Sequence, residues 1–333
     1  MTRRIVLVTG GAGFIGSNVV ARLCEDPALD VVVCDRLRDA ASGKWRNIAK
    51  HPIADFVAPE QLNDWLARRG VEVELVVHMG AVSSTTEQDA DKIVQSNFVL
   101  SRDLWDWCAR HGKRFIYASS AATYGDGTQG FEGKDDLESL RALRPLNAYG
   151  WSKALFDIYA VREAHRGHAP AQWAGLKFFN VFGPNEYHKG AMASVLSKRF
   201  DDIRSGRVVQ LFKSHREGIA DGDQRRDFIY VDDVVRVMMW LFATPSVSGL
   251  FNVGTGTARS FRDLMLAAYG ALGREPNIEY IDMPESIRNS YQYFTESKSD
   301  RLRRAGYNGG FTSLEEAVAS YVGGYLDRSD PYR

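Results

Sequence analysis

The sequence predicts an α/β fold: a doubly wound parallel sheet with a second, smaller domain interleaved with the first. Three observations carry this. Short apolar runs at residues 5–9 (IVLVT), 31–34 (VVVC), 75–78 (LVVH) and 114–117 (RFIY) are each bounded by polar or glycine-containing segments, the pattern of parallel strands buried on both faces. Between them lie longer helical stretches, at residues 17–24, 93–111 and 152–165, and strand–helix alternation of this kind builds doubly wound sheets. From residue 182 the pattern loosens into polar and basic loops such as 213–226. Residues 227–242 then read as a helix and 250–254 as a strand, so the second domain is expected to be interleaved with the first.

The composition narrows the class. Hydrophobic residues make up 44% of the 333 and charged residues 25%, the balance of a globular chain with a sizeable core. Lys+Arg and Asp+Glu both number 42, which offers no electrostatic case for a nucleic-acid or membrane-surface partner. No apolar run approaches the roughly 18–20 residues of a membrane span, and the N-terminus enters an apolar strand at once, without room for a signal peptide. A cytoplasmic location is the expectation. Cys24, Cys34 and Cys108 are far apart and odd in number, so they are read as buried small hydrophobes. Neither they nor the histidines show metal-ligand spacing.

The first strand runs directly into residues 9–16 (TGGAGFIG) and then a helix. Glycines at a strand–helix junction permit a tight turn and let the backbone approach a pyrophosphate at the positive end of the helix. Gly10, Gly13, Phe14, Ile15 and Gly16 are therefore predicted to hold a dinucleotide. Asp35, at the end of the second strand, stands where an acidic residue binds the adenosine ribose. A carboxylate there favours NAD, because it repels a 2′-phosphate. Arg36, Arg38 and Lys44 follow closely and can clamp a phosphate, unless they are simply a solvated basic loop. The balance favours NADP, with NAD open. Asp55, Ala81 and Asn97 are further expected cofactor contacts.

Residues 149–153 (YGWSK) place Tyr149 and Lys153 on one helical face. A phenol of ordinary pKa near 10 is a poor base, and a neighbouring ammonium and a nicotinamide cation both favour phenolate. Tyr-x-x-x-Lys alone occurs by chance. Upstream, residues 117–125 (YASSAATYG) end the fourth apolar run, where open α/β sheets bind ligands. Ser120, Tyr149 and Lys153 form the predicted triad.

The glycine loop, spaced GxxGxxG, together with YASSAATYG and YGWSK, resembles the extended short-chain dehydrogenase/reductase family of nucleotide-sugar epimerases, dehydratases and reductases. The resemblance implies an N-terminal Rossmann domain at residues 1–181, to which 227–254 return, and a smaller interleaved α/β substrate domain at 182–333. Residues 78–87 (HMGAVSSTTE), 179–194 (FNVFGPNEYHKGAMAS), 225–233 (RRDFIYVDD) and 291–295 (YQYFT) extend it over nearly the whole chain, to the branch that inverts C6 of an ADP-linked heptose for lipopolysaccharide core synthesis. Ala121-Ala122 follow the strand-end serines, where water elimination would need an acid and a base. On this resemblance Lys189 serves as a second acid/base opposite Tyr149, and Ser120 hydrogen-bonds the reacting oxygen. Ser83, Asn180, His188, Lys189, Ser194, Phe212, Arg226 and Tyr291 would contact substrate, Arg226 at the pyrophosphate. The resemblance also implies a homo-oligomer, a homopentamer. Asn185-Glu186-Tyr187 departs from the Arg or Gly of other members. Taken without the resemblance, Lys189 could be a phosphate-binding or surface lysine. Another nucleotide-sugar epimerase or reductase, or a catalytically silent cofactor-binding protein, would share much of this pattern; the latter has no need of both Tyr149 and Lys153.

Overall fold

The computed structural model describes residues 3–288 and 291–333. Seven strands form one parallel sheet: β1 (Arg4–Thr9), β2 (Leu29–Cys34), β3 (Asp55–Val57), β4 (Val73–His78), β5 (Arg114–Ser120), β6 (Gln172–Phe178) and β7 (Gly249–Val253), in the order β7-β6-β5-β4-β1-β2-β3. The order reverses between β1 and β4, so the loops leaving these two strands diverge and open a crevice at their carboxyl ends. Alternate residues feed two cores. Val6, Val8, Val31 and Val33 pack on one face, and Ile5, Leu7, Val32 and Cys34 on the other.

Helix α1 (Phe14–Leu23) follows β1 directly, starting three residues earlier than expected. The helix before β5 runs from Ala90 to Arg110 with a π turn at Val94–Val99. Helix α2 (Ala148–His165) is N-capped by Asn147, whose side-chain Oδ1 accepts from the Gly150 amide at 2.8 Å. Helix α3 (Val231–Ala243) is shorter than the predicted 227–242 helix, because Phe228–Tyr230 form a strand parallel to Asn180–Phe182. Residues 249–253 join β6 as an edge strand, in register Gly249 to Ala174 through Val253 to Phe178.

Two sheet strands escape the apolar pattern. In β6 the run is broken by Gln172 and Lys177, yet all seven residues are buried. Gln172 Nε2 donates to the carbonyls of Leu241, Thr244 and Val247, and Lys177 enters the network described below. Strand β3 has three residues, two of them exposed, too few to show a period. A third core gathers Phe182, Leu196, Phe200, Leu211, Phe228 and Met265 from the second half of the chain, and Phe14 of the glycine loop packs into it. Cys34 and Cys108 are buried as expected, whereas Cys24 is half-buried. Among the described residues no helix is long and apolar enough to cross a membrane.

His78, at the end of β4, is fully enclosed. Its Nδ1 lies 2.6 Å from Thr9 Oγ1 and its Nε2 2.9 Å from Ser101 Oγ. Burial, aided by the Lys153 charge, pushes it down from 6.5 to about 3. The unfolded chain therefore takes up this proton first as pH falls. The neutral imidazole stabilises the fold above pH 6.5, and that contribution drains away between 6.5 and about 3, at up to about 1.4 kcal/mol per pH unit. Denaturant titrations across this window should show a flatter slope for His78→Asn than for the wild type.

Candidate active site

The glycine loop stands at the reversal point of the sheet. Gly10 has φ +65°, and a Cβ there would lie 2.5 Å from the Gly80 amide nitrogen of the loop after β4. A Cβ on Gly16 would lie 2.2 Å from the Gly10 carbonyl oxygen. Both positions need glycine, the first for its left-handed backbone and the second for close approach. Helix α1 begins at Gly13 with no side-chain cap and no acidic residue in its first turn. Its first amides are thus left for an anion. Phe14 is buried, and Ile15 and Ala81 are half-buried.

Asp35 fixes this loop from the end of β2. Its Oδ2 accepts from the Ala12 amide at 2.9 Å, and its Oδ1 from the Arg36 amide at 2.7 Å and Lys44 Nζ at 2.6 Å. Lys44 thereby offsets the carboxylate charge. Arg36 instead reaches Glu60, through Nε at 2.8 Å, on the surface. Asp55 is exposed, and its Oδ2 accepts from the Trp65 indole at 2.8 Å. Asn97 is buried, and its amide brackets the Val82 peptide (2.8 and 2.9 Å) and donates to Ser152 Oγ at 3.0 Å, so it shapes the loop after β4. These residues fit a dinucleotide: the cradle excludes side chains, the helix start is uncapped, and a neutralised carboxylate stands at the ribose end.

The predicted triad comes together at the carboxyl end of β5. Ser120 ends the strand, and Tyr149 and Lys153 project from the first turns of α2. Lys153 Nζ donates to the Ala118 carbonyl at 2.8 Å, and burial pulls its ammonium down to about 8 against the opposing Asp157 charge. Tyr149 differs from the sequence expectation. Burial raises its phenol above the ordinary value, the Ser120 hydroxyl works to lower it, and Asp157 adds to the rise. The physical reason is desolvation, with the Lys153 ammonium directed at a carbonyl. The phenol is protonated in the protein alone, and a cationic nicotinamide ring would favour its ionisation.

Beneath the triad lies a network that sequence reasoning missed. Asp157 and Lys177 form an ion pair of 2.7 Å with both side chains essentially inaccessible. Asp157 also accepts from Tyr117 (3.0 Å) and Ser119 (2.7 Å), while Lys177 donates to Thr123 Oγ1 at 2.8 Å. Thr123 in turn donates to the Ser120 carbonyl at 2.8 Å. Asp157 lies one turn beyond Lys153, a spacing visible in the sequence; Lys177, a charge inside an otherwise apolar strand, was the other available signal.

The second half of the chain brings up the remaining residues. Lys189 Nζ sits 5.1 Å from the centre of the Phe14 ring, which places it at the glycine loop. Burial lowers its ammonium below the ordinary lysine value, and the buried Glu186 opposes this. Glu186 also accepts from Ser194, at 2.6 Å from its amide and 2.7 Å from its hydroxyl. Ser194 caps the helix Val195–Arg204, so its hydroxyl serves the loop that carries Lys189. Asn185 holds φ +73°, a backbone that asparagine tolerates. His188 is half-buried and pushed down to about 4, by burial first and then by Lys44 and Lys189.

Arg226 is buried between aromatic rings, with its guanidinium carbon 5.1 Å from the Tyr291 ring centre and 5.6 Å from that of Phe261. Phe212 packs edge-on against Tyr291 at 6.5 Å. Among the described residues no carboxylate pairs with Arg226. Its Nη1 donates to the Arg225 carbonyl at 2.9 Å, and a buried guanidinium with no carboxylate partner among the described residues has the chemistry to take an anion. Asn180 stands exposed nearby, 3.5 Å from Thr295 Oγ1. Ser83 is exposed on the loop after β4.

A doubly wound sheet with an uncapped glycine loop, a Ser–Tyr–Lys cluster and a buried guanidinium that no carboxylate pairs among the described residues is the architecture of nicotinamide-dependent enzymes acting on nucleotide-linked substrates. The chain belongs to the NAD dependent epimerase/dehydratase family, whose model matches residues 6–254. It is 50% identical to the ADP-L-glycero-D-manno-heptose-6-epimerase of Nitratidesulfovibrio vulgaris (strain DP4), covering 98% of this chain and 99% of that relative. It is 44% identical to the enzyme of the same name from Fusobacterium nucleatum, over 98% and 100%. Among solved structures it resembles the Helicobacter pylori ADP-L-glycero-D-manno-heptose-6-epimerase, with a TM-score of 0.79 and 25% identity over 97% and 96% of the two chains. It also resembles the Thermus thermophilus UDP-glucose 4-epimerase in complex with NAD, with a TM-score of 0.73 and 26% identity over 96% and 99%.

Proposed function

We propose that this chain interconverts ADP-D-glycero-D-manno-heptose and ADP-L-glycero-D-manno-heptose by inverting C6. The observation that carries the reading is the pairing of a Ser120–Tyr149–Lys153 cluster with a second, partly desolvated lysine, Lys189, at the dinucleotide loop. The C6 hydrogen is not flanked by a carbonyl, so direct deprotonation is too costly. A nicotinamide held at the glycine loop would supply the alternative chemistry, reversible hydride transfer at C6.

Between removal and return the planar ketone must present its opposite face, and its oxygen then points another way. Tyr149 serves one orientation, taking the hydroxyl proton when that epimer is oxidised and giving one to the oxygen when that epimer is formed. Lys189 serves the other. Ser120 hydrogen-bonds the oxygen, and Lys153 stabilises the phenolate and the cofactor ribose. Arg226 binds the pyrophosphate, with Tyr291 and Phe212 beside it, and Asn180, His188, Ser194 and Ser83 complete the substrate contacts. On this reading residues 1–181, joined by 227–254, form the cofactor domain, and 182–333 the substrate domain.

The cofactor is NADP on our reading. In support, Lys44 neutralises Asp35 at 2.6 Å, and Arg36 stands exposed beside it. Titration with both dinucleotides should give tighter binding of NADP, and Lys44→Ala should narrow the difference. Tighter NAD binding by the wild type would reverse this assignment. Arg226→Met should raise KM for the ADP-sugar roughly ten- to a hundredfold, the value of a charge-assisted bond of about 1.5–3 kcal/mol, with kcat little changed. We also propose a cytoplasmic homo-oligomer of five copies, supplying lipopolysaccharide core heptose; sedimentation equilibrium checks the copy number.

The deciding experiment incubates purified protein with ADP-D-glycero-D-manno-heptose and follows C6 stereochemistry by NMR. Approach to a mixture of epimers without net cofactor consumption is expected. No conversion, with NADP or NAD added, would sink the heptose reading.

A further inference from the structure

We propose that Asn47 is a positioning residue that locks the dinucleotide loop to the segment bearing His188 and Lys189. It rests on the reading that this segment faces substrate. Asn47 ends the short helical turn Lys44–Asn47, three residues on from the Lys44 that anchors Asp35, and it is 1% exposed. One terminal atom lies 2.9 Å from the Ala12 carbonyl oxygen, 3.2 Å from the Asn185 carbonyl oxygen and 3.1 Å from His188 Nδ1. Two carbonyl oxygens beside one atom identify it as the amide nitrogen, since an amide oxygen would be repelled by both. The other terminal atom, Oδ1, is buried without a partner. An apolar residue would avoid that cost, so the position uses the donor half of the amide.

What the donor joins is specific. The Ala12 peptide is held at both ends by the chain leaving β2, its amide by Asp35 Oδ2 at 2.9 Å and its carbonyl by Asn47. The same Asn47 nitrogen then reaches the backbone of Asn185 and the imidazole of His188, next to Lys189. Two neighbouring bonds support the join: Asn18 Nδ2 donates to the Pro184 carbonyl at 3.0 Å, and Asn185 Nδ2 to Ser17 Oγ at 3.0 Å. On this proposal the two amide hydrogens divide, one shared by the two carbonyl oxygens and the other directed at His188 Nδ1, so that neutral His188 carries its proton on Nε2 and presents it as a donor away from Asn47. Asn47 thus sets both where the Lys189 segment sits and which nitrogen of His188 donates.

The test compares Asn47→Ala with the wild type in the full-length protein, and uses three readouts. In protein labelled with ¹⁵N-histidine, His188 should change from a single Nε2–H tautomer to a mixture. The dinucleotide Kd should move less than about threefold, because Asp35 and the glycine loop remain. For epimerisation of ADP-D-glycero-D-manno-heptose, kcat should fall roughly tenfold or more, and a His188→Ala change added to Asn47→Ala should cost less than it does alone. An unchanged His188 tautomer, additive effects of the two changes, or a kcat within twofold of wild type would each overturn the proposal. The tautomer and Kd readouts need no sugar nucleotide, so they report on Asn47 even if the substrate reading fails. Should Asn47→Ala not fold, Asn47→Ser, which keeps a short polar side chain, is read by the same criteria.

Discussion

Lys189→Met is expected to lower epimerisation by about 10²–10⁴-fold, the range contributed by a positioned acid/base group, and Tyr149→Phe by a similar factor. The two variants should fail differently. If Tyr149 serves one epimer and Lys189 the other, each variant keeps the group needed to oxidise one epimer. Mixing the Lys189→Met protein with the epimer served by Tyr149 should reduce the bound cofactor, visible in its near-ultraviolet absorbance, while the other epimer should not. Tyr149→Phe should show the opposite preference. The structure favours this pairing because Lys189 is desolvated at the Phe14 ring, which brings a lysine toward the range where it can exchange protons near neutral pH. If Lys189→Met raises KM and leaves kcat intact, Lys189 is a phosphate ligand and the second acid/base lies elsewhere.

The other large effect concerns the buried pair under the triad. Asp157→Asn should destabilise the protein by about 3–5 kcal/mol, because it leaves the inaccessible Lys177 ammonium without its counter-charge. Denaturant unfolding checks this, and a loss below about 1 kcal/mol would contradict it. Replacing both residues together, Asp157→Leu with Lys177→Met, should recover most of the stability, since a well-packed apolar pair often equals a buried ion pair. It should not recover the activity. Lys177 holds Thr123, and Thr123 holds the Ser120 carbonyl, so the double variant should keep its fold and still turn over roughly tenfold more slowly. The split between recovered stability and unrecovered rate separates a positioning role from a packing one.

What the sequence disclosed follows from how local each feature is. Strands β1, β2, β4 and β5 are continuous apolar runs, and the glycine loop and the Tyr149–Lys153 spacing are short-range patterns, so all were legible. The start of α3 was misplaced because Phe228–Tyr230 pair with Asn180–Phe182, a contact across about fifty residues. Strand β6 was hidden by Gln172 and Lys177, whose polarity is satisfied by partners distant in sequence: the Leu241, Thr244 and Val247 carbonyls for the one, Asp157 and Thr123 for the other. The basic stretch after β2 read as one phosphate clamp; in the fold Lys44 turns inward to Asp35 while Arg36 pairs with Glu60. Asn47 gave no signal, since its three partners come from two distant segments. The direction of the Tyr149 shift needed burial, which spacing does not reveal.

The edge position of β7 has a consequence for how the molecule is made. Strand β6 is complete at residue 178, but the strand that covers its open side is residues 249–253. During synthesis about seventy residues must leave the ribosome before that side is closed. Until then the open backbone edge of a strand that is wholly buried in the finished fold is available to neighbouring nascent chains. Sheet closure by so distant a partner is also slow. Chains halted between residues 178 and 249 are therefore the form of this protein most prone to aggregate, and the most dependent on chaperones during translation.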